Sequence, residues 1–301
     1  MSAKLELLQK QISSGEDLSS IVRTMKALAA TSVRQYEKAA ESLDDYYGTV
    51  ALGLTVVLSE GLNDIPTSIK PRSPIELFVV IGSDYGLAGR FNEQIVSYAL
   101  HKYAINSTQD STREDGKEER EKYLICVGEQ VINRVVAEGI EPDVKYNVPG
   151  SISAITPLIQ QLLESIEYFQ ANKGVESVLL IYNRPEAAGF KSISEMMLPV
   201  DYTRLQRDKV KWESRSLPLY TLPVEKLLSS LLRQYFFVSL YRACALSLAA
   251  ENAARLAAMQ SAEKNIDERL SQLRTGYQHE RQAAITEELL DVISGFKALK
   301  K

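Results

Sequence analysis

From Leu18 onward the apolar and small positions of the chain recur four and three residues apart: Leu18, Val22, Met25, Ala29, Ser32, Tyr36, Ala39, Leu43, Tyr47, Val50, Leu54. Near the other end Ile266, Leu270, Leu273 and Tyr277 repeat the spacing, and Ala249, Ala253, Leu256 and Met259 fit it upstream. A sustained period of 3.5 residues is the pattern of a coiled coil. The prolines agree with it. All 10 fall between Pro66 and Pro223, so neither flank carries the residue that costs about 3 kcal/mol in a helix interior. Two helices of an ordinary bundle would show the same periodicity, but length argues against that. A helix from about 224 to 297 spans on the order of 110 Å at 1.5 Å per residue, longer than a compact domain of this size is wide. The two ends are therefore expected to pair with each other. Ala29, Ser32, Ala39, Ala249 and Ala253 keep the seam small, which permits close approach and leaves surface for something outside the pair.

The middle of the chain has another pattern. Leu77 to Ile81, Tyr123 to Val127 and Val178 to Tyr182 are short β-rich apolar runs, each a candidate buried strand, and Phe190 to Leu198 offers a further one. Helical patterns at Asn92 to Tyr103, Glu129 to Glu138 and Ile155 to Gln170 alternate with them. Such alternation predicts an α/β layer around a largely parallel sheet. The expected fold class is thus α/β plus a long antiparallel coiled coil, with a Rossmann-like α/β domain inserted between the paired ends. The expected divisions are 1–61 for the N-terminal coiled-coil helix, 62–222 for the α/β domain and 223–301 for the C-terminal coiled-coil helix. The polar run from Asn106 to Lys122 reads either as a solvated loop or as a regulatory insertion.

Composition narrows the function. A net charge of −4 argues against nucleic acid as the main partner. The two cysteines, Cys126 and Cys244, have no metal spacing, and the two histidines, His101 and His279, are too few for a His-rich site, so no metal is expected. The opening residues carry no signal or transit pattern, which points to a reducing, cytosolic compartment. No apolar stretch approaches the ~20 residues of a membrane span, so work at a membrane would run through partners.

One stretch invites a catalytic or cofactor reading: IGSDYGLAGR, residues 81–90, where an apolar run breaks into glycine. Its glycines, Gly82, Gly86 and Gly89, match neither the dinucleotide fingerprint nor the P-loop, and Asp84 within it would repel an anion. A structural strand-to-helix turn is the better reading, and no cofactor is expected. No catalytic residue stands out either. Metalloprotease, nucleophile-elbow and paired-cysteine motifs are missing, and the adjacent carboxylates Asp44-Asp45 and Glu287-Glu288 point about 100° apart on a helix. The balance favours a mechanical or binding role.

The C-terminal segment, residues 251–299, closely resembles the terminal helix of the gamma subunit of F-type ATP synthases. The resemblance rests on Glu251, Ala253, Ala254, Arg255, Ala258 and Met259, on Arg281, Gln282, Ala283, Ile285, Thr286 and Glu288, and on Ile293, Gly295, Ala298 and Leu299. The run from Arg23 to Ser32 is similar to the family's N-terminal motif, and SDYGLAGRFN, residues 83–92, to the turn after the first strand of its α/β domain. Thr24 and Ser32 stand where lysines are common, Asn252 replaces a histidine and Ala88 a cysteine. These departures suggest a variant lineage such as the N-type F-ATPases.

The resemblance implies a non-catalytic central-stalk rotor that couples ion flow through a membrane c ring to ATP synthesis or hydrolysis. It implies as partners the alpha and beta subunits of F1, the epsilon subunit and the c ring. It also implies a peripheral place on the cytoplasmic face of a prokaryotic membrane, or on a thylakoid membrane. By resemblance Met25, Arg255, Gln282, Thr286 and Glu288 meet beta subunits, and Tyr220, in the foot-like segment Trp212 to Pro223, faces the c ring. Ile285, Leu289, Ile293 and Phe296 would form the rotor tip. Two alternatives stay open: a scaffold or tether unrelated to ATPases, and an enzyme whose α/β domain binds a nucleotide.

Overall fold

The computed structural model describes residues 3–61, 77–110, 121–187, 189–200 and 219–299. Its helices are α1 (Ala3–Glu41), α2 (Asp44–Gly61), α3 (Phe91–Asp110), α4 (Glu129–Ala137), α5 (Ile155–Lys173) and α6 (Val224–Leu299). Its strands are β1 (Leu77–Ile81), β2 (Tyr123–Val127), β3 (Val144–Tyr146), β4 (Val178–Glu186) and β5 (Gly189–Leu198). The chain divides into two compact units, one of residues 31–254 and one joining residues 1–30 to residues 255–301.

In the first unit the strands form one sheet in the order β3-β2-β1-β4-β5, parallel throughout except for the antiparallel β4–β5 pair. The continuous apolar runs of β1 and β2 are buried at every position, as a parallel sheet covered on both faces requires. One face, with Phe78, Val80, Leu124, Cys126, Leu179 and Ile181, packs on α3 and α4 through Ile95, Val96, Val131 and Val135. The opposite face, with Leu77, Val79, Ile125, Val127 and Leu180, packs on α5 and on the first part of α6. Alanines let α6 lie close to the sheet: Ala243, Ala245 and Ala249 are buried, and the Ser247 hydroxyl donates to the Ile81 carbonyl at 3.3 Å. Gly174, in the left-handed region at φ 69°, ends α5 and returns the chain toward β4.

Three elements differ from the sequence expectation. The N-terminal arm is two helices. The step from Leu43 to Tyr47 is a second successive spacing of four, which shifts the heptad phase. There the Ser42 hydroxyl donates to the Ala39 carbonyl at 2.9 Å, competing with the backbone ladder. Helix α3 runs on through Asp110, so the polar run from Asn106 begins as helix, and residues 111–120 lie outside the described residues. Strand β3, only three residues long, has no alternation to reveal it.

The second unit is a pair of antiparallel helix segments. Lys4 pairs with Glu280, Glu16 with Arg274, Arg23 with Glu263 and Asp267, and Lys26 with Glu263, so positions on α6 fall as those on α1 rise. The seam is one residue out of the expected phase at its start. Ser19 is buried where Leu18 was expected, and Leu18 is 54% exposed. Gly15 explains part of this, because a side chain there would meet Leu270 at 2.7 Å and hold the helices apart. The register puts Met25 opposite residues near Met259 to Glu263, and α1 is used up near Glu280. Helix α6 continues another 19 residues to Leu299, roughly 28 Å of helix without α1 beside it.

Lys26 and Arg23 hold the Glu263 carboxyl below the usual carboxylate range, chiefly through the Lys26 hydrogen bond. Because the folded-state value is lowered, the stabilisation is present at neutral pH and is lost as pH falls through that value. Thermal melts should therefore rank wild type above Glu263→Gln at about pH 7, and the gap should close near pH 3. An equal gap at both pH values would show that the Glu263 charge is not what the pair uses.

Candidate functional site

Ligands of open α/β sheets gather at the carboxyl ends of the parallel strands, so the turn after β1 is the first place to look. The chain fills that place itself. Asp84 Oδ1 accepts from the backbone N–H of Glu129 at 3.0 Å, and Oδ2 accepts from the N–H of Val148 at 2.9 Å. The Ser83 carbonyl takes the N–H of Gln130 at 3.0 Å. The first donors of α4, which would cradle a phosphate, are thus held by the chain's own oxygens. Gly128, at φ 110°, lies so close to Ser83 that a Cβ would stand 2.7 Å from its backbone nitrogen. The Ser83 hydroxyl and amide bond to Asn92 as well, while Ala88 and Phe91 pack on Ala250 of α6. Asp84 was read from sequence as a residue that would repel an anion. In the structure it is the anion that α4 binds.

Other chemistry is sparse. Among the described residues no three His, Cys, Asp or Glu side chains come together to hold a metal ion, and no helix is long and apolar enough to cross a membrane. Burial pushes both thiols, Cys126 and Cys244, up to about 12, which keeps them protonated and unreactive at neutral pH.

The remaining candidates lie mostly along the helix pair. Met25 and Arg255 are half-buried. Gln282, Thr286 and Glu288 are exposed on α6 beyond the last α1 ion pair. Along α6, Arg255 and Gln282 stand about 40 Å apart at 1.5 Å per residue, so the two groups form separate surfaces. Within the polar group, the Thr286 hydroxyl donates to the Gln282 carbonyl one turn earlier at 2.8 Å, which puts these two on one side. Glu288 points away from both.

Past Glu280 the helix is greasy and bare. Ile285, Leu289, Val292 and Ile293 are each about half exposed or more, and so is Leu290, which the heptad spacing did not single out. Phe296 belongs to α6, but its side chain lies outside the described residues. Tyr220 is half-buried in the short stretch before α6, beside the fully projecting Leu219 (94% exposed); residues 212–218 of the foot-like segment lie outside the described residues.

Comparison with known proteins accounts for this combination of paired helices and α/β sheet. The model of the ATP synthase family, in its gamma branch, matches residues 4–299. The chain belongs to the ATP synthase gamma family. The ATP synthase gamma chain of Geobacter sp. (strain M21) is 29% identical over 308 residues, covering 99% of both chains. That of Geotalea uraniireducens (strain Rf4) is 27% identical over 303 residues, again covering 99% of both. In fold, the chain is similar to one in the rotor of the Euglena gracilis mitochondrial ATP synthase. The TM-score there is 0.62 at 18% identity, over 95% of this chain and 100% of that one. A chain of the Tetrahymena thermophila mitochondrial ATP synthase central stalk and c ring gives 0.53 at 22% identity, over 80% and 99%. The family places this chain as a subunit of an enzyme complex and disfavours the unrelated-scaffold reading.

The occupied α4 terminus makes a direct prediction. Asp84→Ala should lower stability by about 0.5–2 kcal/mol, the usual worth of a helix cap, measured by denaturant unfolding. The wild-type chain should show no ATP or NAD binding tighter than ~100 μM by calorimetry. Tight binding that Asp84→Ala leaves unchanged would mean the site was located wrongly.

Proposed function

We propose that the chain is a non-catalytic rotor, the central stalk that couples ion flow through a membrane c ring to ATP synthesis or hydrolysis in an alpha3-beta3 ring. One observation carries the reading: α6 outruns its partner helix and presents Ile285, Leu289, Val292 and Ile293 to solvent. An apolar helix end of this kind needs a sleeve. The alpha and beta subunits supply one, and small or apolar side chains let a shaft turn without locking to a single position. The epsilon subunit and the c ring are the partners of the α/β part, with Tyr220 toward the c ring. The division into arms at 1–61 and 223–301 and a foot at 62–222 is the matching reading of the parts. The complex would sit peripherally on the cytoplasmic face of a prokaryotic membrane, or on a thylakoid membrane. Membership in the gamma family supports all of this.

No nucleotide chemistry is asked of the chain. Its mechanism is asymmetry: each rotary position favours a different set of beta conformations, so rotation becomes differential nucleotide affinity. Met25 and Arg255 on one stretch of the pair, and Gln282, Thr286 and Glu288 beyond its far end, are the proposed contacts with beta subunits. Their separation along the shaft fits two distinct beta elements.

Replacing Gln282, Thr286 and Glu288 together by alanine should slow ATP turnover of the assembled complex while the isolated chain keeps its helicity. Each lost hydrogen bond is worth ~0.5–1.5 kcal/mol, so a loss of about tenfold or more is expected. Wild-type rates of both synthesis and hydrolysis in the triple variant would remove these residues from the contact.

A further inference from the structure

Between strand β3 and helix α5 lies a pocket of about 490 Å³ with Tyr123, Tyr146, Tyr168 and Phe169 in its walls. Two carboxylates, Asp143 and Glu164, line it beside one ammonium, Lys173. The helix period builds one wall. Gln161, Glu164, Ser165 and Tyr168 follow each other at three- and four-residue steps, so they share a side of α5. The opposite wall is held rigidly. The Tyr146 hydroxyl shares a hydrogen bond with the Ser165 hydroxyl at 2.7 Å and donates to the Gln161 carbonyl at 3.2 Å. Asp143 Oδ2 accepts the Leu124 N–H at 2.7 Å. Neither carboxylate has an ion-pair partner among the described residues. Lys173 shows what the rings attract, because its ammonium lies over the Tyr123 ring at 5.7 Å from the centroid. Phe169 packs on both Tyr123 and Tyr168, with centroids 4.8 and 5.7 Å away. Tyr168, at the other end of this row, is 56% exposed, and no described cation lies over it.

We propose that this pocket binds a guanidinium group, carried by a free arginine-like molecule or by an arginine side chain of a partner protein. The flat cation lies on the Tyr168 ring, and its N–H groups donate to Glu164, one turn away on the same side of α5. Tyr146 and Asp143 face it from the strand side. A guanidinium suits the site better than an ammonium, because it stacks through its plane while donating through its edge. Lys173 keeps the Tyr123 end occupied and confines the ligand to the Tyr168 end. All of these residues belong to the α/β part, so the site stands whether or not the rotor reading holds.

Titration of the full-length chain, its tyrosine rings isotope-labelled, with N-acetyl-arginine amide at constant ionic strength tests this by NMR. One saturable site with a Kd of about 1–10 mM is expected, the scale of one exposed ring and one exposed ion pair, with shifts concentrated on Tyr146 and Tyr168. The citrulline analogue, of the same shape without the charge, and the lysine analogue should each bind at least about threefold more weakly. Glu164→Gln and Tyr168→Ala should each weaken arginine-amide binding about threefold or more, with circular dichroism unchanged, and Lys173→Gln should tighten it. Tighter binding of free arginine than of the blocked form assigns the site to a small molecule, and the reverse order to a protein side chain. No saturation by about 50 mM, equal affinity for either analogue, or indifference to both α5 variants would each overturn the proposal.

Discussion

Everything in this chain depends on one helix being able to do three jobs along its length. Between Val238 and Asn252, α6 is buried on nearly every side, which is why that stretch is rich in alanine and serine and carries a buried cysteine. Between Arg255 and Glu280 it buries only a seam, represented by Met259 and Leu270, against α1. Beyond Glu280 the described side chains bury almost nothing. A free helix that short would be marginal in water, because nucleation is unfavourable. Here the nucleus is supplied by the packed part, and the end only has to propagate one hydrogen bond at a time. The tip's order is thus borrowed from side chains many turns away.

Much of this is legible in the residues. Strands β1, β2 and β4 stand out because a parallel strand covered on both faces needs an unbroken apolar run. The helical ends stand out because proline is missing and the heptad is long. What sequence hides is phase and partnership. Leu18 looks like a better seam residue than Ser19, but Gly15 draws Leu270 in close and the helix settles with Ser19 inside. The break at Ser42 shows only as one extra spacing of four. Strand β3 is too short for any period to register.

The candidate contacts were legible only through family resemblance. Gln282, Thr286 and Glu288 have ordinary chemistry, and nothing in their spacing distinguishes a contact from a solvated face. The structure adds geometry: Gln282 and Thr286 share a side, Glu288 does not, and Met25 with Arg255 lies far down the shaft. Asp84 is the opposite case. Its sequence neighbours suggested a turn, but only the fold brings it to Glu129 and Val148, both more than forty residues away.

That internal carboxylate has a consequence for a protein that works among nucleotide-binding subunits. A tethered group is presented to its donors at a far higher effective concentration than any dissolved competitor, and it loses no translational freedom on binding. Free phosphate or nucleotide in the surrounding solution has to displace Asp84 before it can reach α4. The link between the turn after β1 and helix α4 is therefore closed by a group the chain carries with it, and needs no dissolved anion to complete it.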